Sequence, residues 1–276
     1  TGEKKWEKDF QKDFGAGLPI WGFSAHPLVI GDTVYCLVGG EGSVAVAFDA
    51  KSGEVKWKAL DARNQGYCPP SIVKVGKTEQ LLIWHPEGLN SLNPKTGEKY
   101  WELPLKPTYG MSVMTPQLVG NKIFASGIGR VGAMIELNVD EPTAKFAWRG
   151  KPKTALYCCN STPLIHDGVI YGSDIRSSQL IAASVEDGER FWSTMEPTVA
   201  KEYQKNGGSH GTVYLTRHEE SGKYWLVNEG GDLILAELSK EGYKELGRQH
   251  VLEPTNEAFG RPVVWSGPAF SDRAVF

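Results

Sequence analysis

No stretch of this 276-residue chain approaches the roughly 18 apolar residues that a membrane-spanning helix needs. The first residues lack the basic, apolar and small-residue succession of a secretory signal. Thr1 already stands inside a repeat, so that lack says little about compartment. An excess of one charge is missing too: 30 Lys and Arg stand against 33 Asp and Glu, a formal net charge of -3, with the basic residues scattered. This excludes the basic face that DNA or RNA binding requires. Only four cysteines occur, at 36, 68, 158 and 159, and neither Cys-x-x-Cys nor Cys-x-x-Cys-His is present. Zinc-knuckle and attached c-type haem sites are therefore not expected. The six histidines form no metal pair on one local element, and His26, His85 and His210 fall near strand ends, where a structural role is expected. Long i, i+3, i+4 patterns are absent, so helices should be few, the one plausible helical turn lying in 197–204.

A phrase is present instead, and it repeats. Ala47-Phe48-Asp49-Ala50-Lys51-Ser52-Gly53-Glu54-Val55-Lys56-Trp57 returns at 91–101 and 182–192, with a worn copy at 144–148 and the ending alone at Gly2 to Trp6. The tryptophans at 6, 57, 101, 148 and 192 recur every 44 to 51 residues, the period of a four-stranded propeller blade. Asp49, Asn93 or Ser184 can bond its own turn, and Gly53, Gly97 or Gly188 can supply a positive φ. Trp6, Trp57, Trp101, Trp148 and Trp192 are read as docking residues between neighbouring blades, each burial contributing roughly 2–3 kcal/mol.

The first half of each repeat reads as a tight hairpin: Pro27 to Ile30, Gly31-Asp32, Thr33 to Tyr35, with later copies turning at Gly120-Asn121 and Asp167-Gly168. Looser copies turn at Gly76-Lys77 and Ser271-Asp272. The spacing predicts an all-β chain, one β-propeller domain over 1–276 with four-stranded antiparallel blades at about 22–60, 66–105, 109–150, 155–195 and 207–250. Residues 1–8 are expected to be the last strand of another blade and 260–276 the first strands of one more, an arc of a seven- or eight-bladed ring.

Two motifs fail on context. Gly127-Ile128-Gly129-Arg130-Val131-Gly132 has dinucleotide-fingerprint spacing, but the repeat register puts a strand after it where a helix is needed. Gly207-Gly208-Ser209-His210-Gly211 has the spacing of a hydrolase elbow, but Thr212 to Thr216 reads as strand. Vicinal Cys158-Cys159 admit two readings: small buried thiols, one inward and one outward by strand alternation, or a strained disulfide ring on which a redox cofactor could stack.

The motif Ala-x-Asp-x-x-x-Gly-x-x-x-Trp at 47–57, with its near copies, resembles the docking motif of the pyrroloquinoline-quinone-like β-propeller repeat family, over nearly the whole chain. That family includes quinoprotein alcohol dehydrogenases and the non-catalytic propeller lipoprotein of outer-membrane assembly. The dehydrogenases add a Trp floor, a vicinal disulfide, calcium ligands and a catalytic Asp, of which only Cys158-Cys159 has a counterpart here. The resemblance thus implies a non-catalytic scaffold for protein partners, with no cofactor, placed in the periplasm or cell envelope. Its alternative is an alcohol or sugar dehydrogenase holding pyrroloquinoline quinone and calcium at the channel face. The segments leading into the first strands should converge there, making Trp21, Ser24, His26, Tyr67, Tyr109, Tyr157, Cys158, Cys159, Asn160, His210 and Trp265 the candidate site residues, suited to a concave surface or to a plugged channel mouth. No catalytic residue and no metal ligand is assigned.

Overall fold

The structure, a computed structural model, describes residues 2–151, 155–204 and 210–276. Five four-stranded sheets follow one another, each with its strands hydrogen-bonded in chain order. The first holds β1 (Leu28–Ile30), β2 (Thr33–Leu37), β3 (Ala45–Asp49) and β4 (Val55–Ala59); the second β5 (Ser71–Val75), β6 (Thr78–His85), β7 (Gly88–Leu92) and β8 (Lys99–Leu103). The third holds β9 (Gln117–Val119), β10 (Lys122–Gly127), β11 (Val131–Leu137) and β12 (Ala144–Arg149), and the fourth β13 (Leu164–His166), β14 (Val169–Ser173), β15 (Leu180–Ser184) and β16 (Arg190–Thr194). The fifth holds β17 (Val213–Arg217), β18 (Tyr224–Asn228), β19 (Asp232–Leu238) and β20 (Tyr243–His250). Two hairpins end the chain, β21 (Asn256–Ala258) with β22 (Arg261–Val263), and β23 (Phe270–Ser271) with β24 (Ala274–Val275). The polypeptide packs as two compact units, Thr1–Val131 with Ile135–Ala147, and Gly132–Met134 with Trp148–Phe276.

The first hairpin of each of the first four sheets closes through a two-residue turn, as with Ile30 opposite Thr33 and His166 opposite Val169, whereas in the fifth Arg217 pairs with Tyr224 across a longer loop. The last hairpin pairs Ser271 with Ala274, so its turn is Asp272–Arg273, one residue beyond the expected Ser271–Asp272. Gly127 ends β10 and Val131 begins β11, so the Gly-x-Gly-x-x-Gly stretch is a hairpin and offers no helix N-terminus. Gly207, Gly208 and Ser209 of the hydrolase-like motif lie outside the described residues, and the strand expected after it is β17.

In the first unit β3 is buried on both faces, Ala45 to Phe48 all being inaccessible, because covering layers meet it from two sides. Tyr35, Leu37, Ala47 and Trp57 pack with Leu81, Ile83 and Leu92 of the second sheet, while Val34, Val46 and Phe48 pack on Trp6, Phe10 and Phe14. The last two rings belong to α1 (Phe10–Phe14), a single helical turn that sequence periodicity was too short to reveal. Asp9 caps it by accepting from the amides of Gln11 and Lys12, and Gly15 ends it in the left-handed region. Of residues 1–8, expected as the last strand of a blade, the described part, 2–8, forms no strand. Trp6 nevertheless docks on the first sheet, its indole donating to Ala50 O.

In the second unit Val169, Tyr171, Leu180 and Ala182 of the fourth sheet share a core with Leu226, Ile234 and Ala236 of the fifth, closed by Trp192 and Tyr243. α2 (Lys201–Gln204) is the short helix expected between these sheets.

The repeated phrase folds the same way each time. Asp49 Oδ1 accepts from the amides of Lys51 and Ser52, Asn93 Oδ1 from Lys95, and Ser184 Oγ from Glu186. Gly53, Gly97 and Gly188 take φ of +75°, +75° and +76°. A β-bulge then shifts the register just before Trp57, Trp101 and Trp192, which lie opposite Ala47, Ser91 and Ala182. Four of the five indoles serve the following repeat, not their own. Trp6 Nε1 donates to Ala50 O at 3.0 Å, Trp57 to Pro94 O at 3.1 Å, Trp148 to Val185 O at 2.8 Å and Trp192 to Ser239 O at 2.8 Å. In the first three pairs the ring also covers the bare glycine of that turn.

Trp101 is the exception. Asn138 N donates to Thr143 O as Asp49 N does to Glu54 O, which aligns Pro142 with Gly53. Proline cannot take the positive φ and carries a ring where the indole would lie. Trp101 Nε1 donates instead to Gln80 Oε1 of its own sheet at 2.7 Å, where the buried Ser91 hydroxyl also donates.

Candidate functional site

In the first unit, Gly15 releases the chain from α1 into a loop whose apolar side chains point outward: Leu18 is 64% exposed, Ile20 83% and Trp21 54%. The Trp21 indole meets the buried Tyr67 ring edge-on at 5.6 Å, and the Tyr67 amide donates to Ser112 O at 3.0 Å. Tyr109, in the turn just before Ser112, is 76% exposed and held at φ +60°. Pro86 lies against both Gly66 and Gly110, tying these two lead-in segments together. The sequence-predicted Trp21, Tyr67 and the Tyr109 turn are thus neighbours. Ser24 and His26 stand exposed farther along the loop, with His26 Nδ1 at 3.3 Å from Pro27 O. Beside this surface opens a cavity of about 510 Å³ lined by Glu41, Asp61, Arg63, Gln65 and Glu87. Asp61 accepts from the Gly42 amide, Glu87 Oε1 from the Arg63 amide at 3.2 Å, and Gln65 Nε2 reaches Gly17 O at 3.4 Å.

In the second unit the lead-in to β13 is irregular, not a strand, so the expected alternation of Cys158 and Cys159 does not arise. Both are buried, no disulfide joins them, and burial pushes the Cys159 thiol up to about 12. Tyr157 beside them is buried as well; its amide donates to Asp174 Oδ2 at 3.1 Å and its hydroxyl to Lys151 O at 2.9 Å. Asp174 is further held by the Arg176 and Ser177 amides and by Arg190, whose guanidinium also grips Ala155 O. Asn160 Nδ2 lies 3.4 Å from Thr212 Oγ1, which leads to the second cluster.

That cluster centres on Glu229, which sequence reasoning missed. Its Oε1 accepts from Arg261 Nε at 2.5 Å, and its Oε2 from the Thr212 amide and from Trp265 Nε1, both at 3.2 Å. Glu229 and Arg261 are both buried, and the backbone of Val264 adds a bond to Glu229 O at 2.7 Å. The β21–β22 turn carries Phe259 at φ +52°, an unfavourable conformation for a bulky residue, and its ring stacks on His210 at 4.4 Å and 6°. Trp265 lies 6.1 Å from the same ring, and the Arg261 guanidinium 5.9 Å from it. Burial, and then the nearby Arg261 charge, hold the His210 imidazole below its ordinary value. The Glu229 oxygens are engaged by three donors, which makes the carboxylate a brace for the loop and not a proton acceptor for a substrate. Glu229 and Arg261 are 32 residues apart, and no local spacing links them. The available signal was an acid beside the Gly230-Gly231 turn at the end of an apolar strand.

The two clusters share a chemical character. In each, exposed aromatic or aliphatic surface lies over polar groups already committed to hydrogen bonds. Among the described residues no group of three or more His, Cys, Asp or Glu is placed to hold a metal ion, and no helix is long and apolar enough to cross a membrane.

Comparison with solved structures gives the fold. BamB from Moraxella catarrhalis superimposes with a TM-score of 0.57 at 14% identity, covering 90% of this chain and 64% of that one. Apo AztD from Citrobacter koseri gives 0.54 at 13%, covering 91% and 64%, and the quinohemoprotein alcohol dehydrogenase from Comamonas testosteroni gives 0.50 at 13%, covering 90% and 46%. The chain therefore spans less than two thirds of the length of each of these proteins, and at such identities the likeness is one of fold. No curated protein sequence matches it. The model of the family described as outer membrane protein assembly factor BamB matches residues 1–194. With its repeated docking phrase, its four-stranded antiparallel sheets and that match over more than half of its length, the chain belongs to the BamB family of β-propeller repeat proteins.

Proposed function

We propose that the chain is a non-catalytic interaction scaffold of the periplasm or cell envelope, binding protein partners through the segments that lead into its blades. The observation that carries this reading is the exposed apolar surface of the lead-in loops, Leu18, Ile20, Trp21 and Tyr109 in one unit and Phe259 and Trp265 in the other. Exposed aromatic clusters over a rigid, hydrogen-bonded base are what protein recognition uses. Family membership favours the same role and the extracytoplasmic placement.

The dehydrogenase reading is the alternative. The residues present fit pyrroloquinoline quinone with calcium poorly: Cys158 and Cys159 are buried, unlinked and offer no face to a planar cofactor. Purified protein titrated with the quinone and calcium should show no saturable cofactor absorbance band and no dye reduction with alcohols or sugars. Photo-crosslinking groups at Trp21 and Phe259 should capture a defined partner in envelope fractions, while one at Gln249 on the outer strand β20 should not. Saturable quinone binding with alcohol oxidation would overturn the proposal.

A further inference from the structure

The cavity beside Trp21 has an electrostatic peculiarity. Some carboxylates elsewhere are matched by a cation, Asp32 by Lys56, Glu102 by Lys99, Asp232 and Glu245 by Arg248, and others stand singly on the surface. Glu41, Asp61 and Glu87 line one cavity, and among the described residues none of them forms an ion pair, not even with Arg63 in the same wall. Asp61 and Glu87 each use an oxygen to hold a loop amide, which fixes their positions, and the Glu41 side chain makes no hydrogen bond among the described residues. Three negative groups against one positive, around about 510 Å³ of open space, set up a local field that favours a cation.

The apolar rim is continuous with it. Gly17 lines the cavity one residue before exposed Leu18, and Gln65 lines it two residues before Tyr67, the platform for Trp21. Glu87 follows Pro86, which packs under the Tyr109 turn at Gly110. Taking the scaffold reading as its premise, we infer that this surface of the first unit docks an extended peptide segment of a partner protein that carries arginine or lysine beside large apolar side chains. The cationic groups enter the acidic cavity and the apolar ones lie on Trp21, Ile20 and Leu18. An anionic segment would be repelled, and an apolar one without charge would leave the carboxylates unmatched.

The test uses three fluorescein-labelled decapeptides on the whole chain, read by anisotropy: arginine alternating with phenylalanine and leucine, the same with glutamate for arginine, and the same with serine for phenylalanine and leucine. The first should bind at least tenfold more tightly than either of the others. Glu41→Gln/Glu87→Gln and, separately, Ile20→Ser should each weaken it about tenfold, whereas Glu219→Gln/Asp272→Asn, which removes two charges from the second unit, should leave it unchanged. Ile20 is almost wholly exposed, so its replacement tests the rim without touching the core. Equal binding of the three peptides, or of all variants, overturns the inference. If that happens while crosslinks still form from Phe259, the scaffold reading stands and only this surface is wrong; quinone binding would remove both.

Discussion

The Trp57 ring lies on Gly97 so closely that a Cβ there would stand 2.6 Å from the indole Cε3. The glycine is required twice over, by the ring and by its own φ of +75°. Gly97→Ala should therefore cost about 1–2 kcal/mol for the left-handed backbone and more for the displaced indole, about 3 kcal/mol in all. Gly242, in the shorter turn of the fifth sheet, lacks a positive φ and has open space around it, and Gly242→Ala should change stability by less than about 0.5 kcal/mol. Urea unfolding of the two variants checks the contrast; equal losses would refute the docking account.

Glu229 and Arg261 form a buried pair that neither partner can leave cheaply. Arg261→Met strands a carboxylate among groups that cannot neutralise it, and should destabilise the second unit by about 3–5 kcal/mol. The double change Glu229→Gln/Arg261→Met should recover part of that loss. A double variant less stable than the single one would show that the charge is not the source.

Two histidines should give stability slopes of opposite sign. Burial and Arg261 lower His210 below its ordinary 6.5, so the unfolded chain binds the proton more readily and stability falls as the pH drops below about 6.5. His210→Phe should remove that acid-side loss. His250 sits between carboxylates, Nδ1 at 3.1 Å from Asp232 and Nε2 at 3.1 Å from Glu253, and these hydrogen bonds raise it. Its contribution is present below about 6.5 and disappears as the pH rises through the raised value. His250→Gln should lower stability in acid and leave it unchanged in alkali. Melting temperatures between pH 5 and 8, a span of roughly the histidine titration range, read both.

Thiol chemistry separates the two readings of the cysteine pair. Cys159, pushed up to about 12, and its buried neighbour Cys158 should resist an aromatic disulfide reagent in the folded protein and react promptly in denaturant. An intact mass lower by two hydrogens before reduction would establish a disulfide in their place.

Much of the fold was readable because the repeat states it five times over. The turn chemistry of Asp49, Asn93 and Ser184, the positive φ of the three glycines and the hairpin turns all follow from local residue types. What the phrase could not state is who docks on whom. Gly97 and Trp101 are neighbours in one motif, yet Gly97 receives Trp57, because the contact is made between successive sheets and not along the chain. The site was less legible for the same reason. Trp21, Tyr67 and Tyr109 could be nominated by register alone, but the placing of Glu41, Asp61 and Glu87 around one cavity depends on three separate loops. Glu229 meets Arg261 only because the β21–β22 hairpin, whose polar residues carry no strand signal, folds back over the fifth sheet.

Pro142 has an effect beyond its own turn. Successive sheets of a repeat protein share stability mainly with their immediate neighbours, and at one junction of the first unit the indole that fastens the others has turned away to Gln80. The junction between the second and third sheets is therefore held by packing without the indole-to-turn hydrogen bond that Trp57 supplies at the junction before it.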